Sequence, residues 1–195
     1  MNLPNKLTVV RAALVPVFIV FMLVPMFGNP ACTGAAAWIA AAIFVIASLT
    51  DLLDGKIARK YNLVTDFGKF MDPIADKLLV CSGFICLVSL ERIQAWMVIL
   101  IIAREFIIGG LREVAADNGV VIAASYWGKF KTAFSMIAVG LLILIEDFHA
   151  MPIPEPFWTI INLTTQIVVW VSVILTVISL VDYLVKNRKV LKSYK

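Results

Sequence analysis

Apolar residues fall in six long runs, at about 7–27, 35–50, 74–90, 93–111, 132–145 and 157–183, with charged or polar stretches between them. A helix needs roughly 20 apolar residues to cross a bilayer. The first and last runs reach that length alone. The other four reach it only if their helices run on into charged sequence. Such charges must then face a wet cavity rather than lipid. The pattern predicts an all-α integral membrane protein of six transmembrane helices. It contains no fixed-period repeat and no low-complexity tract. The opening residues 1–6, with Pro4 and Asn5, are expected to form a short interfacial segment, and 186–195 a basic tail on anionic lipid.

Composition agrees with this reading. Of the 195 residues, 62% are hydrophobic and 15% charged, against nearer half and a quarter in soluble domains. One membrane domain over 1–195 is expected, because no stretch is polar enough for a second. The first run is too long for a signal-peptide core and further spans follow, so it is read as retained. Cys32, Cys81 and Cys86 form no CxxC pair and read as packing residues.

Charge placement sets the topology. With both termini in the cytoplasm, every Lys and Arg except Arg92 falls on the cytoplasmic side, a strong positive-inside bias. The net charge of +4 therefore reports topology rather than nucleic-acid binding. The acidic, proline-rich stretch 146–156 becomes an outer loop, and the single histidine, His149, lies there as a surface residue. The tryptophans read as interfacial or packing residues.

The candidate chemistry lies between Asp51 and Asp76. Asp51, Asp54 and Ala58 share one helical face by their spacing, and Asp72 and Asp76 share another. Two antiparallel helices can thus present four carboxylates to one another. Close carboxylates at a membrane edge repel unless cations join them, and oxygen ligands suit Mg²⁺ or Mn²⁺. One or two such ions on a diphosphate would balance the charge. Gly55 and Ala58 leave room for a nucleotide against the helix. Arg59 can reach a phosphate with its planar fork. Gly68 lets helices approach closely. Ordinary surface acids would account for Asp66, but not for acids recurring at helical spacing beside apolar runs.

These residues resemble the CDP-alcohol phosphotransferase family, whose pattern is D-x2-D-G-x2-A-R-x8-G-x3-D-x3-D. Asp51, Asp54, Gly55, Ala58, Arg59, Gly68, Asp72 and Asp76 match every fixed position. The stretch from Arg104 to Glu113 is similar to the R-E-F-x-x-S-G-L-R segment of the family's bacterial phosphatidylglycerophosphate synthases, with Gly109 in place of Ser. Gly128-Lys129-Phe130-Lys131-Thr132 resembles their G-K-x-K-T. Pro4-Asn5-Lys6-Leu7-Thr8 followed by Arg11 resembles their P-N-x-L-T-x-x-R.

The resemblance implies transfer of a phosphatidyl group from CDP-diacylglycerol to glycerol 3-phosphate, with both substrates bound together. Asp51, Asp54, Asp72 and Asp76 would ligate Mg²⁺ or Mn²⁺. Asp76 would be the general base. Gly55, Ala58 and Asp66 would border the nucleotide. It also implies a homodimer in the bacterial cytoplasmic membrane, with the active site facing the cytoplasm. A phosphorylated acceptor calls for a basic pocket, to which Arg104, Arg112, Lys129 and Lys131 are candidates. Arg104 stands beside Glu105 inside an apolar run, which favours the pocket. Lys129 and Lys131 fit a pocket or a headgroup anchor equally well.

Two rivals remain. Inositol phosphate, inositol, serine or phosphatidylglycerol could replace the acceptor, though an uncharged acceptor needs fewer basic residues. A divalent-cation transporter would instead spread its acids through the membrane depth, whereas these cluster at one side.

Overall fold

The computed structural model describes residues 3–24, 30–60, 66–117, 119, 122 and 125–188. Within these, the side chains of 3, 4, 30–33, 51–60, 66–70, 72, 73, 117 and 146–150 lie outside the description. The described residues form helices and turns with no strand. The helices are α1 (Leu3–Leu23), α2 (Pro30–Lys60), α3 (Asp66–Ser89), α4 (Ala95–Asp117), α5 (Tyr126–Ala150) and α6 (Glu155–Lys186). Each covers most or all of one apolar run and extends past it at one end or both into charged or polar residues.

Among the described residues, three helical stretches are long and apolar enough to cross a membrane: Asn5–Leu23, Tyr126–Ile145 and Glu155–Lys186. The second exceeds the length expected from its apolar run, because α5 begins at Tyr126 rather than near Thr132. Leu3–Lys6 are the first residues of α1 itself. Pro16 lies inside α1 without ending it.

The chain divides into two compact units. The first comprises Met1–Arg92 with Val139–Trp158, and the second Ile93–Ala138 with Thr159–Lys195. In the first unit α1 packs along both α2 and α3, which touch each other less among the described residues. The ends of α2 and α3 that the sequence expects to face each other carry side chains outside the described residues. The buried face of α1 carries Val15, Phe18 and Met22 toward the unit's core. The facing surface of α2 is nearly all alanine, with Ala36, Ala37, Ala40, Ala41 and Ala47 buried around Phe44. Small side chains let the backbones approach. The Phe18 and Phe44 rings meet at 5.9 Å between centroids, tilted by 37°. On α3, a Cβ at Gly83 would stand 3.0 Å from Val139 Cγ1 and 3.6 Å from Phe18, so any larger residue would press on Val139.

The α3 end is a Schellman turn. The Arg92 amide donates to the Leu87 carbonyl and the Glu91 amide to the Val88 carbonyl, each at 3.0 Å. Glu91 takes the left-handed position, with φ 57°, where glycine is the usual residue. The Arg92 side chain then donates from Nη1 to the carbonyls of Leu142 (3.1 Å) and Ile143 (2.6 Å) on α5. The one basic residue outside the cytoplasmic set thus ties this turn to α5.

Candidate active site

Two groups of residues carry the predicted chemistry, one in each unit. In the first unit, α2 runs unbroken through Asp51, Asp54, Gly55, Ala58 and Arg59, and α3 through Asp66, Gly68, Asp72 and Asp76. The helical backbone gives Asp51 and Asp54 a common face, and Asp72 and Asp76 another. Of these nine, only Asp76 has a described side chain. It is half-buried beside the fully buried Ala75, and it has an interaction partner. The convergence of the four carboxylates rests on side chains outside the described residues. Among the described residues no three His, Cys, Asp or Glu gather as a metal site would require. The donor set that α2 and α3 carry is all carboxylate oxygen, which is the chemistry hard divalent ions take.

Short connections make successive helices antiparallel. The start of α1 therefore shares an end of the unit with the close of α2 and the start of α3, where the aspartates lie. That start is polar and buried: Asn5, Thr8 and Arg11 are exposed by 6%, 1% and 1%. They recur every three residues and share a face. A buried arginine needs partners for its charge, and Arg11 takes part in an interaction there. The sequence signal for this face was the i, i+3, i+6 recurrence of polar residues at the edge of an apolar run.

In the second unit α4, α5 and α6 build a charged cluster. Arg104 on α4 donates from Nη1 to Glu105 Oε1 at 3.0 Å and from Nη2 to Ser179 Oγ on α6. Lys131 on α5 donates to the same Glu105 oxygen at 2.6 Å. Lys131 is almost completely buried, with 2% of its side chain exposed. Glu105 therefore holds two cations from two helices. The guanidinium of Arg112 lies over the Tyr183 ring, 5.7 Å from its centroid, a cation–π geometry. Gly128 leaves room here: a Cβ would stand 3.0 Å from Arg104 Nη2, so the guanidinium would have to shift slightly.

Of the four basic residues singled out by sequence, the structure joins Arg104 and Lys131 through Glu105. It brings Arg112 to the same face of α6 that Arg104 reaches. Lys129 is apart from them, exposed, with Nζ 5.5 Å from the Tyr126 ring centroid. Asp182, on α6, is engaged elsewhere, by Ser125 (3.0 Å) and Lys186 (2.7 Å).

Sequence reasoning passed over α6 as uniformly apolar. Its buried face carries Thr165, Ser172, Thr176, Ser179 and Tyr183. Ser172 pairs with Ser135 on α5 at 2.8 Å. Thr165 and Thr176 return their hydroxyls to the carbonyls of Ile161 and Ser172 within the same helix. The signal was a recurrence of hydroxyls at three- and four-residue steps.

The profile of the CDP-alcohol phosphatidyltransferase family matches residues 1–178, which include both groups of residues except Tyr183 and Ser179. The chain belongs to this family. Among similar members, the CDP-diacylglycerol–glycerol-3-phosphate 3-phosphatidyltransferase of Bacillus subtilis (strain 168) is 46% identical, covering 98% of each chain. The enzyme of the same name from Rickettsia bellii (strain RML369-C) is 39% identical over 96% of each. A probable phosphatidylglycerophosphate synthase of Mycobacterium tuberculosis (strain ATCC 25618 / H37Rv) is 38% identical over 95% of this chain and 81% of its own length. The family resemblance carried by the aspartate motif is thereby borne out along nearly the whole chain.

Proposed function

We propose that the chain transfers the phosphatidyl group of CDP-diacylglycerol to the primary hydroxyl of glycerol 3-phosphate, giving phosphatidylglycerophosphate and CMP. The observation that carries this is the 46% identity over 98% of both chains to a relative of that name. It is supported by the buried cationic cluster on α4 and α5, which suits an acceptor bearing a phosphate.

Asp51, Asp54, Asp72 and Asp76 hold Mg²⁺ or Mn²⁺ in this reading. The bound cation supplies charge to the diphosphate. Gly55, Ala58 and Gly68 keep the helices slim where the nucleotide enters, and Asp66 borders it. Arg59 steadies the oxygens of the phosphorus under attack. Asp76 takes the proton from the acceptor hydroxyl as its oxygen bonds to the phosphorus bearing diacylglycerol. The bond from that phosphorus to the CMP oxygen breaks, and CMP leaves. Arg104, Arg112 and Lys131 hold the acceptor phosphate, with Lys129 at the surface beside them in sequence.

The same reading makes 1–195 one membrane domain of six spans in the bacterial cytoplasmic membrane. Both termini and the reacting groups face the cytoplasm, and two copies assemble as a homodimer. The deciding experiment incubates purified protein with CDP-diacylglycerol and glycerol 3-phosphate, inositol phosphate, inositol, serine or phosphatidylglycerol, with and without divalent metal. Metal-dependent phosphatidylglycerophosphate from the first acceptor is the expected product. A different lipid product replaces the acceptor assignment, and no CMP release with any acceptor overturns the reaction.

A further inference from the structure

The geometry points to Tyr183 as an acceptor-binding residue whose hydroxyl donates a hydrogen bond to the phosphate of the acceptor. This rests on the acceptor-pocket reading above and adds to it a residue from α6. Ser179 and Tyr183 stand one turn apart on the buried face of that helix. Arg104 and Arg112 stand eight residues apart on α4, close to two turns, and so share a face. Arg104 reaches Ser179 and Arg112 reaches the Tyr183 ring. Both arginines are thus drawn to neighbouring turns of α6.

Two polar atoms of this cluster are fully buried and have no hydrogen-bond partner among the described residues. They are Arg104 Nε and the Tyr183 hydroxyl. Tyr183 as a whole is only 3% exposed. A buried donor left unmade costs roughly 1–3 kcal/mol, and phenylalanine would fill the same space without that cost. Arg104 Nε can only donate, and a phenol donates readily. What both groups want is therefore an oxygen that accepts. The surrounding charge agrees. Arg104 and Lys131 share the Glu105 carboxylate, Arg112 adds a third cation at the Tyr183 ring, and Asp182 is paired with Lys186 and accepts from Ser125. A phosphate monoester offers several accepting oxygens and negative charge together. The Arg112 guanidinium over the ring fixes the ring plane and draws electron density from it, which strengthens the phenol as a donor.

Tyr183→Phe removes one oxygen and nothing else. The expected result is a KM for glycerol 3-phosphate raised about tenfold, with the KM for CDP-diacylglycerol within about twofold of wild type. The melting temperature in detergent should be unchanged or higher, because an unmet buried hydroxyl is removed. Isothermal titration with glycerol 3-phosphate alone should show the same weakening. An unchanged acceptor KM overturns the assignment, as does a lowered melting temperature with both KM values moving together, since that is the mark of a structural phenol. Arg104→Lys, which deletes the Nε donor but keeps the charge, separates the two readings. If it raises the acceptor KM while Tyr183→Phe does not, Tyr183 is not in the pocket but the pocket stands. If neither variant moves it, the pocket reading itself falls.

Discussion

Glu105 is the residue on which the second unit's charges turn. Removing it leaves Lys131 buried with a charge that has lost an anionic partner, and breaking such a pair costs about 3 kcal/mol or more. Glu105→Ala is therefore expected to lose about 3 kcal/mol in denaturant or thermal unfolding. Glu105→Gln keeps one accepting oxygen and should lose less; equal losses would remove the ion pair as the cause. Lys129 and Lys131 were indistinguishable by type and by neighbours. Two residues along a helix rotate about 200°, so one faces inward when the other faces out. Which of the two turned inward depended on where Glu105 lay, and that is a tertiary fact. The aspartate motif, by contrast, was legible because its fixed gaps coincide with helical turns. Asp51→Ala, Asp54→Ala or Asp72→Ala is expected to cut metal-dependent CMP release by at least about a hundredfold, the scale of losing a principal electrostatic stabiliser. Membrane insertion should persist, and near-normal CMP release from any of the three would remove it from the metal site.

At the scale of elements, the apolar runs located all six helices but not their ends. A hydrophobic run stops where side chains become polar, whereas a helix stops where its backbone bonds stop. The six residues from Tyr126 to Lys131 are helical because α5 continues through Gly128 to bring Lys131 to Glu105. The α3 end is set by the backbone bonds of its turn and by the Arg92 side chain bonded to α5. Glu91 is exposed and pays the left-handed penalty of a residue with a Cβ, about 1 kcal/mol. Glu91→Gly is expected to raise stability by about 0.5–1 kcal/mol, read as a higher melting temperature. A fall would mean that the glutamate side chain contributes something the turn geometry does not reveal. The hydroxyls of α6 were illegible because each is small and the helix stays long and apolar despite them.

For the molecule as a whole, the distribution of Lys and Arg is the strongest topological signal. Among the described residues three helical stretches are apolar enough to cross a membrane by composition alone. Both termini are expected on the cytoplasmic side. An alkaline phosphatase fused after Lys195 should then be inactive, and one fused after Pro152 active. The reverse pattern would place the aspartates on the outer face and end the proposed use of cytoplasmic substrates.

The bond between Lys131 and Glu105 also bears on biogenesis. Lys131 is buried and the carboxylate it contacts belongs to the preceding helix, so α5 gains by packing against α4 as soon as it is made. The hydroxyls Thr165 and Thr176 on α6 are bonded to that helix's own carbonyls, so they need no escort. A chain cut between α4 and α5 keeps Arg104 paired with Glu105, whereas α5 made without α4 lacks the carboxylate that Lys131 contacts.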